Sequence, residues 1–340
     1  MNIEIRQLDR NTLSDQLIVY RAAFNPTKDY EENKAIWVRK HYENPLGDSL
    51  VFGAYCDGTL AGMNSYMPVD YMYEGKIIPL LQSCESGVMP EFQGKGIWSK
   101  VVRYAIDHIL HETKYQAVIG FPNYINSYPG FKKMGWETLL EMENYVLVNS
   151  SKAFADNVFK ERKVLRVLGR LGFLQRIGVA FAGCGYGKYA IEECSIEDLI
   201  WDDSSDTMSV AHTVELIEWK RKYKGVNTIA IKKDGKTLAS CIYSLGDYNG
   251  AKIVKMEKCT ISADSSISLK SAVALFCKYL HKQCTETAFI RVWTMPGSAL
   301  SSAMKQLLFM KSSHPNPFIV KQEGNVFSDK KWNLSFFDLD

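Results

Sequence analysis

Apolar and polar positions alternate in short runs through the first 150 residues, and turn residues separate the runs. "IEIRQL" at 3–8 reads as a strand, helical spacing follows around 12–23 and over Glu31–His41, and "SLVFGAYC" and "TLAGMNSYMPV" read as strands joined by Asp57-Gly58. An Asp-Gly between alternating apolar runs marks a hairpin, because both turn residues must take positive φ. "LLQSCESGVMP" reads as a strand ending at Pro90. After it come the glycine-rich "EFQGKGIW", a helical stripe in "SKVVRYAIDHILHET", the strand "QAVIGFP", a short helix and "GWETLLEMENYVLV". A hairpin meander followed by strand, turn and helix predicts an α/β domain with a mixed sheet.

The pattern changes over 151–190. Lys160, Arg162, Lys163, Arg166, Arg170 and Arg176 interleave with Leu165, Leu168, Leu171, Leu174 and Ile177. An apolar stripe at that spacing fits a basic amphipathic connector packed between domains; peripheral contact of 158–178 with an anionic membrane surface is the lesser reading. Gly169, Gly172 and Gly178 weaken any long helix here, at about 1 kcal/mol each against Ala.

From 191 the order of the first part returns. "IWVRKHY" at 36–42 is echoed by "IEWKRKY" at 217–223, and "DGTLAG" at 57–62 by "DGKTLAS" at 234–240. Strand, helix and strand then recur in "AKIVKMEKCTIS", "SLKSAVALFCKYLHKQ" and "TAFIRVW". The expected organisation is two copies of one mixed-sheet fold, 1–150 and 191–340, around the connector. The second copy differs at one place: its strand-to-helix corner is "ADSSIS", without glycine.

Composition narrows the function classes. A chain of 340 residues with 46% hydrophobic side chains suits two folded domains. Its 41 basic and 38 acidic residues leave a formal charge of only +3, which argues against nucleic acid as a partner. "MNIEIRQLDR" lacks an apolar leader and no apolar run approaches the ~20 residues of a membrane span, so a cytoplasmic location without a transmembrane segment is expected. The eight cysteines form no CxxC pair, so reduced thiols and no metal are expected.

The first corner carries the candidate chemistry. The first backbone N–H groups of a helix lack intrahelical partners, and the helix dipole adds positive potential; glycines there let the chain wrap closely around a phosphate. Glycine is also common at such corners for geometry alone.

"GVMPEFQGKGIW" resembles the acyl-CoA-binding motif of the GNAT acyltransferase superfamily, a strand ending V-x-P followed by Q/R-x-x-G-x-G/A. Val88, Pro90, Gln93 and Gly96 match, and Trp98 stands where Gly or Ala is usual. "GFPNYINSYPGFKKMGW" at 120–136 is similar to the superfamily's later strand and helix, which end in K-x-G-F or K-x-G-W. The resemblance implies two tandem GNAT-like domains, the second degenerate. It implies that Val88 and Met89 meet the pantetheine arm of acetyl-CoA, that the amides of Gln93, Gly94, Lys95, Gly96, Ile97 and Trp98 bind pyrophosphate, and that Asn123 and Ser127 line the arm or cap the helix. Lys95 is either an added point charge or a surface lysine.

Transfer to an amine needs a neutral nitrogen, a stabilised oxyanion and a protonated leaving sulfur. The resemblance puts Gln82 and Cys84 at base positions, and neither is a good base. Glu85 is adjacent, yet strand alternation points it to the opposite face unless a bulge intervenes. The usual acid position holds Phe131, which leaves Tyr128 and Tyr124 as candidate donors. The expected function is transfer of acetyl from acetyl-CoA to a small-molecule amine, an amino sugar or its nucleotide conjugate being preferred. An enzyme acting on another amine or protein lysine and a silent CoA-binding or scaffold protein are the alternatives; glycines retained in one half only argue against pure scaffolding.

Overall fold

The structure, a computed structural model, describes residues 2–24, 26, 28–158, 176–183, 189–202 and 205–339. The first half runs β1 (Ile3–Leu8), α1 (Leu13–Phe24), α2 (Tyr30–Tyr42), β2 (Leu50–Cys56), β3 (Thr59–Tyr73), β4 (Lys76–Val88), α3 (Ile97–Glu112), β5 (Ala117–Gly120), α4 (Tyr128–Lys133) and β6 (Glu137–Val148). After α5 (Ser151–Val158) and α6 (Arg176–Ala182), the second half runs β7 (Ala190–Glu193), β8 (Met208–Val210), α7 (Val214–Lys224), β9 (Asn227–Lys233), β10 (Lys236–Tyr248), β11 (Ala251–Ile261), α8 (Leu269–Gln283), β12 (Phe289–Thr294), α9 (Ala299–Gln306), β13 (Met310–Lys311), β14 (Asn316–Gln322) and β15 (Trp332–Asn333).

The repeat is visible in the turns. Asp57-Gly58 and Asp234-Gly235 take positive φ between β2 and β3 and between β9 and β10. Glu74-Gly75 and Asn249-Gly250 do the same one hairpin later in each half. Both central residues at positive φ give the hairpin turn whose twist matches that of the strands.

The halves exchange strands. Along the sheet the order is β1-β2-β3-β4-β5-β14-β6-β12-β11-β10-β9-β7. β14, from the end of the chain, lies between β5 and β6 of the first half. β6 pairs with β14 up to Met142 and with β12 from Glu143 onward. The two copies therefore share one continuous sheet, and neither completes its sheet alone.

Helices cover both faces. α3 presents Ile97, Val101, Val102, Ala105, Ile106 and Ile109 to one face, the spacing of a single apolar stripe. α8 does the same for the second half with Ala272, Val273, Phe276 and Leu280. α1 and α2 pack on the opposite face of the first half around Leu17, Val19 and Trp37. The connector's basic stripe lies largely outside the described residues; of its cations, Arg176 is described, and it meets the His281 ring at 2.7 Å.

Candidate active site

β4 and β5 run parallel through Leu81/Val118, Gln82/Ile119 and Ser83/Gly120, and there the pairing ends. β4 continues to Val88 while β5 stops at Gly120, so the strands part beside Ser83. Against β3, Asn64 pairs with Ser86 but Tyr66 pairs with Ser83. Two residues of β4, Cys84 and Glu85, thus oppose Ser65 alone. This is the bulge on which Glu85's direction depends: the extra residue resets the alternation and turns Glu85 to the α2 side. A cleft of ≈ 270 Å³ opens here, lined by Tyr20, Phe24, Lys40, Gln82, Ser83, Cys84, Glu85 and Phe121.

Glu85 is not a lone carboxylate. Lys40 Nζ reaches its Oε1, His41 Nε2 lies 3.1 Å from Oε2, and Ser65 Oγ donates to Oε2 at 3.0 Å. Behind them, His41 Nδ1 is 3.0 Å from Ser49 Oγ. Burial by itself would raise the carboxyl, but the charges of Lys40 and then His41 outweigh it and hold Glu85 well below the usual carboxylate range. Lys40 and His41 were missed in the sequence. Their signal was a Lys-His pair on a helix, both buried in the structure.

The corner after β4 is open. A short 3₁₀ turn at Pro90–Phe92 leads to Gly94 and Gly96 at φ +75° and +71°. A Cβ at Gly94 would meet nothing within 4 Å, and one at Gly96 only Ser99 Oγ at 3.9 Å. Gly96 is the N-cap of α3, and no side chain caps the helix. Its first amides are left for solvent or an anion. Lys95 turns back instead, Nζ donating to the Glu91 carbonyl at 2.9 Å. Gln93 Nε2 donates to the Val88 carbonyl at 3.2 Å, and Met89 N to Ala61 O at 2.9 Å, so these side chains and amides brace the loop. Ile97 is buried under the corner. Trp98 crosses to α4, its Nε1 donating to Ser86 Oγ and its ring edge-on to Phe131 at 5.0 Å.

The loop before α4 is ordered by Asn123, whose Oδ1 accepts from the amides of Ile125 and Asn126, both at 3.0 Å. Ser127 holds the N-cap position of α4 without a side-chain cap bond. Tyr128 opens α4, stacks on Tyr124 at 5.7 Å, and shares a 2.9 Å hydrogen bond with Thr138 Oγ1. Phe131 is core, wedged between Trp98 and Trp136. The cleft brings together Lys40, Gln82, Ser83, Cys84 and Glu85; neither tyrosine is among its lining residues.

The second half carries a matching bulge with a different fate. Ile242 pairs with Lys258 and Tyr243 with Met256, which leaves Glu257 extra on β11, bound by Ser244 Oγ at 2.6 Å. β11 and β12 part after Met256/Val292. Here the chain's own tail fills the gap. Phe337 N donates to the Glu257 carbonyl at 3.0 Å and Lys220 Nζ to the Phe337 carbonyl at 2.7 Å. Asp338, fully buried, meets His212 Nε2 at 2.7 Å. At the corner itself, the Ser268 side chain accepts from Ser271 N and caps α8, and Asp264 pairs with Lys236.

Residues 4–139 match the family model described as Acetyltransferase (GNAT) domain. At the level of sequence, no curated protein matches. Among solved structures, a tandem GNAT protein from the clavulanic acid biosynthesis pathway superposes with TM-score 0.62 at 11% identity, over 95% of this chain and 99% of that one. A probable N-acyltransferase from Enterococcus faecalis gives 0.63 at 11% identity, over 95% and 73%. N-myristoyltransferase of Saccharomyces cerevisiae with bound myristoyl-CoA gives 0.61 at 11%, over 99% and 85%. No helix among the described residues is long and apolar enough to cross a membrane. With its glycine corner, its splayed strands and this match, the segment 4–139 carries a GNAT acetyltransferase domain, and the chain as a whole shares the fold of tandem GNAT structures, its second half repeating the topology without the glycines.

Proposed function

We propose that this chain transfers an acetyl group from acetyl-CoA to the primary amine of a small acceptor, with an amino sugar or its nucleotide conjugate as the preferred class. One observation carries the reading: the cleft where β4 and β5 part lies one strand-end from the uncapped, glycine-lined start of the 16-residue helix α3. A phosphate at that helix start and a thioester at the parting of the strands suit a ligand with a charged head and a reactive tail. The amides from Gly94 to Trp98 bind the pyrophosphate, those of Met89 and Gln93 being taken up by the Ala61 and Pro90 carbonyls, and the strand edge from Ser86 to Val88 receives the arm.

The acceptor enters from the side of α1 and α2. Tyr20, Phe24 and Phe121 supply flat apolar walls of the kind a sugar ring packs on, and ≈ 270 Å³ suits a small amine. Glu85, kept ionised and engaged on both oxygens by Lys40, His41 and Ser65, is a poor proton acceptor and sets the polar floor of the acceptor side. Deprotonation then falls to water in the cleft. Tyr128, with Tyr124 stacked on it, is the hydroxyl that α4 offers to the leaving sulfur.

Calorimetry with acetyl-CoA tests the donor, and mass spectrometry of products from a panel of amino sugars, nucleotide-linked amino sugars, amino acids and lysine peptides tests the acceptor. One acetyl-CoA per chain and N-acetylation of a sugar amine are expected. Absence of acetyl-CoA binding overturns the reading, and a lysine peptide as the sole product reassigns the acceptor.

A further inference from the structure

Asn64 and Ser83 form a polar pair inside the first half. Asn64 is fully buried on β3, and its Nδ2 donates to Ser83 Oγ at 3.2 Å. Ser83 is the last residue of β4 paired to β5, and it lines the cleft. Gly120 opposite it has no side chain to cover it; a Cβ there would sit 3.8 Å from Ser83 Cβ. Because the Ser83 oxygen already accepts from Asn64, its own hydrogen points elsewhere, and among the described residues it donates to no protein group. The Tyr66 hydroxyl meets Asn64 on the same face of β3, and Asn64 Oδ1 is left buried without a hydrogen-bond donor. Unsatisfied buried polar groups are uncommon, and one beside a cleft can be completed by a ligand.

We propose that Ser83 is a catalytic hydrogen-bond donor to the carbonyl oxygen of the acyl group, with Asn64 as the positioning residue that fixes its rotor. The inference rests on the acyl-transfer reading above. In the step it serves, the acceptor nitrogen bonds to the thioester carbon and the C=O electron pair moves onto oxygen, where the Ser83 O–H bonds to it. The C=O bond then re-forms as the C–S bond breaks, and the sulfur gains the proton that the nitrogen loses. Ser83 keeps its own proton throughout. A donor aimed in advance at the atom where charge develops is worth more than one recruited from solvent.

One measurement needs no acceptor. Isotope-edited infrared spectra of acetyl-CoA labelled with ¹³C at the carbonyl report any hydrogen bond to that oxygen as a shift to lower frequency. The wild type is expected to shift the band from its position in free acetyl-CoA. Ser83→Ala returns it toward the free position, while Ser83→Thr, which keeps the hydroxyl, preserves the shift. With the acceptor found above, Ser83→Ala should lower kcat by about 10²-fold and Ser83→Thr by less than about tenfold, with unchanged acetyl-CoA affinity and, in Ser83→Ala alone, a melting temperature lowered by the lost partner of buried Asn64. A Ser83→Ala band identical to that of the wild type overturns the proposal, as does kcat within about threefold of wild type, far short of a lost oxyanion donor. A wild-type protein that binds no acetyl-CoA overturns the parent reading instead, and this inference with it.

Discussion

Gly130 on α4 lies directly against the indole of Trp98: a Cβ built on it would stand 2.3 Å from Cζ3 and 2.6 Å from Cη2. The position that resembles a Gly or Ala in the acyl-CoA motif holds the largest side chain available, and the facing helix gives up its own side chain to accept it. Gly130 does not have positive φ, so the backbone itself would tolerate Ala. The whole cost of Gly130→Ala is the clash. It is expected to lower stability by about 1–3 kcal/mol, the usual cost of overpacking. Trp98→Ala should also destabilise, and the double variant should recover part of the sum, because the clash disappears with the indole. Thermal melts of the four proteins in one cycle check this; strict additivity would show that the two residues do not compete for the space.

Gly96 is different, since its freedom is conformational and its surroundings are empty. Gly96→Asp forces a side chain into the left-handed region and puts a carboxylate at the start of α3, where the dipole and free amides favour an anion from outside. Acetyl-CoA affinity is expected to fall tenfold or more, ~1.4 kcal/mol. Calorimetry on a variant shown to be folded checks it, and unchanged affinity would remove pyrophosphate from this corner.

The second corner is expected to bind no CoA at all. Ser268 already satisfies the first turn of α8, and Phe337 of the tail already bonds Glu257 on the edge of β11. Ser268→Ala should cost about 1 kcal/mol, as caps do, and leave a stoichiometry of one acetyl-CoA per chain. Two equivalents in either protein would contradict the assignment.

The sequence was explicit wherever one residue type decides the local backbone. Asp57-Gly58 and Asp234-Gly235 marked hairpins because both positions need positive φ, and the glycine corner stood out by its absence from the repeat. The bulge at Cys84 and Glu85 was not legible, because a bulge is a mismatch between two strands and no residue announces it. The Lys40–His41–Glu85 network depends on that bulge and on a contact 45 residues apart in the chain, so it was hidden for the same reason. Nor could alternation reveal that β14 enters the first half's sheet, because Phe318 and Val320 facing one side and Ile319 the other would satisfy a strand in either half.

Tyr128 offers a clean separation of packing from chemistry. Its ring packs with Tyr124, and only its hydroxyl reaches Thr138. Tyr128→Phe keeps the ring, so acetyl-CoA affinity is expected to stay constant while turnover falls by about 10²-fold, the scale of a lost general acid. Steady-state kinetics beside calorimetry check this. Turnover within about threefold, well below that scale, would leave Tyr128 a structural residue and pass the role to Tyr124 or water.

The last prediction concerns acid, and it follows from the tail. His212 is buried beside Asp338, sandwiched against Trp201 at 4.2 Å, and burial lowers its pKa despite the neighbouring carboxylate. Burial would raise Asp338, but Lys258, His212 and Lys220 outweigh it and hold it well below the usual range. Both groups thus bind protons more weakly in the folded chain than in the unfolded one. For each, the unfolded state holds more protons between its two pKa values, so stability rises with pH across that window. His212 contributes a loss that begins as pH falls below about 6.5, its unfolded value, and Asp338 a second loss below about 4. Glu85, also held low, adds to the second. The melting temperature should therefore be flat from pH 8 to 7 and fall as pH drops toward 5. His212→Gln, which cannot take up a proton, should reduce the first decline, leaving the share of His281, whose pKa burial and the Arg176 charge also lower, and should leave the second. Melts of both proteins from pH 8 to 4 check it, and an unchanged slope between pH 7 and 5 in His212→Gln would place the acid-sensitive group elsewhere.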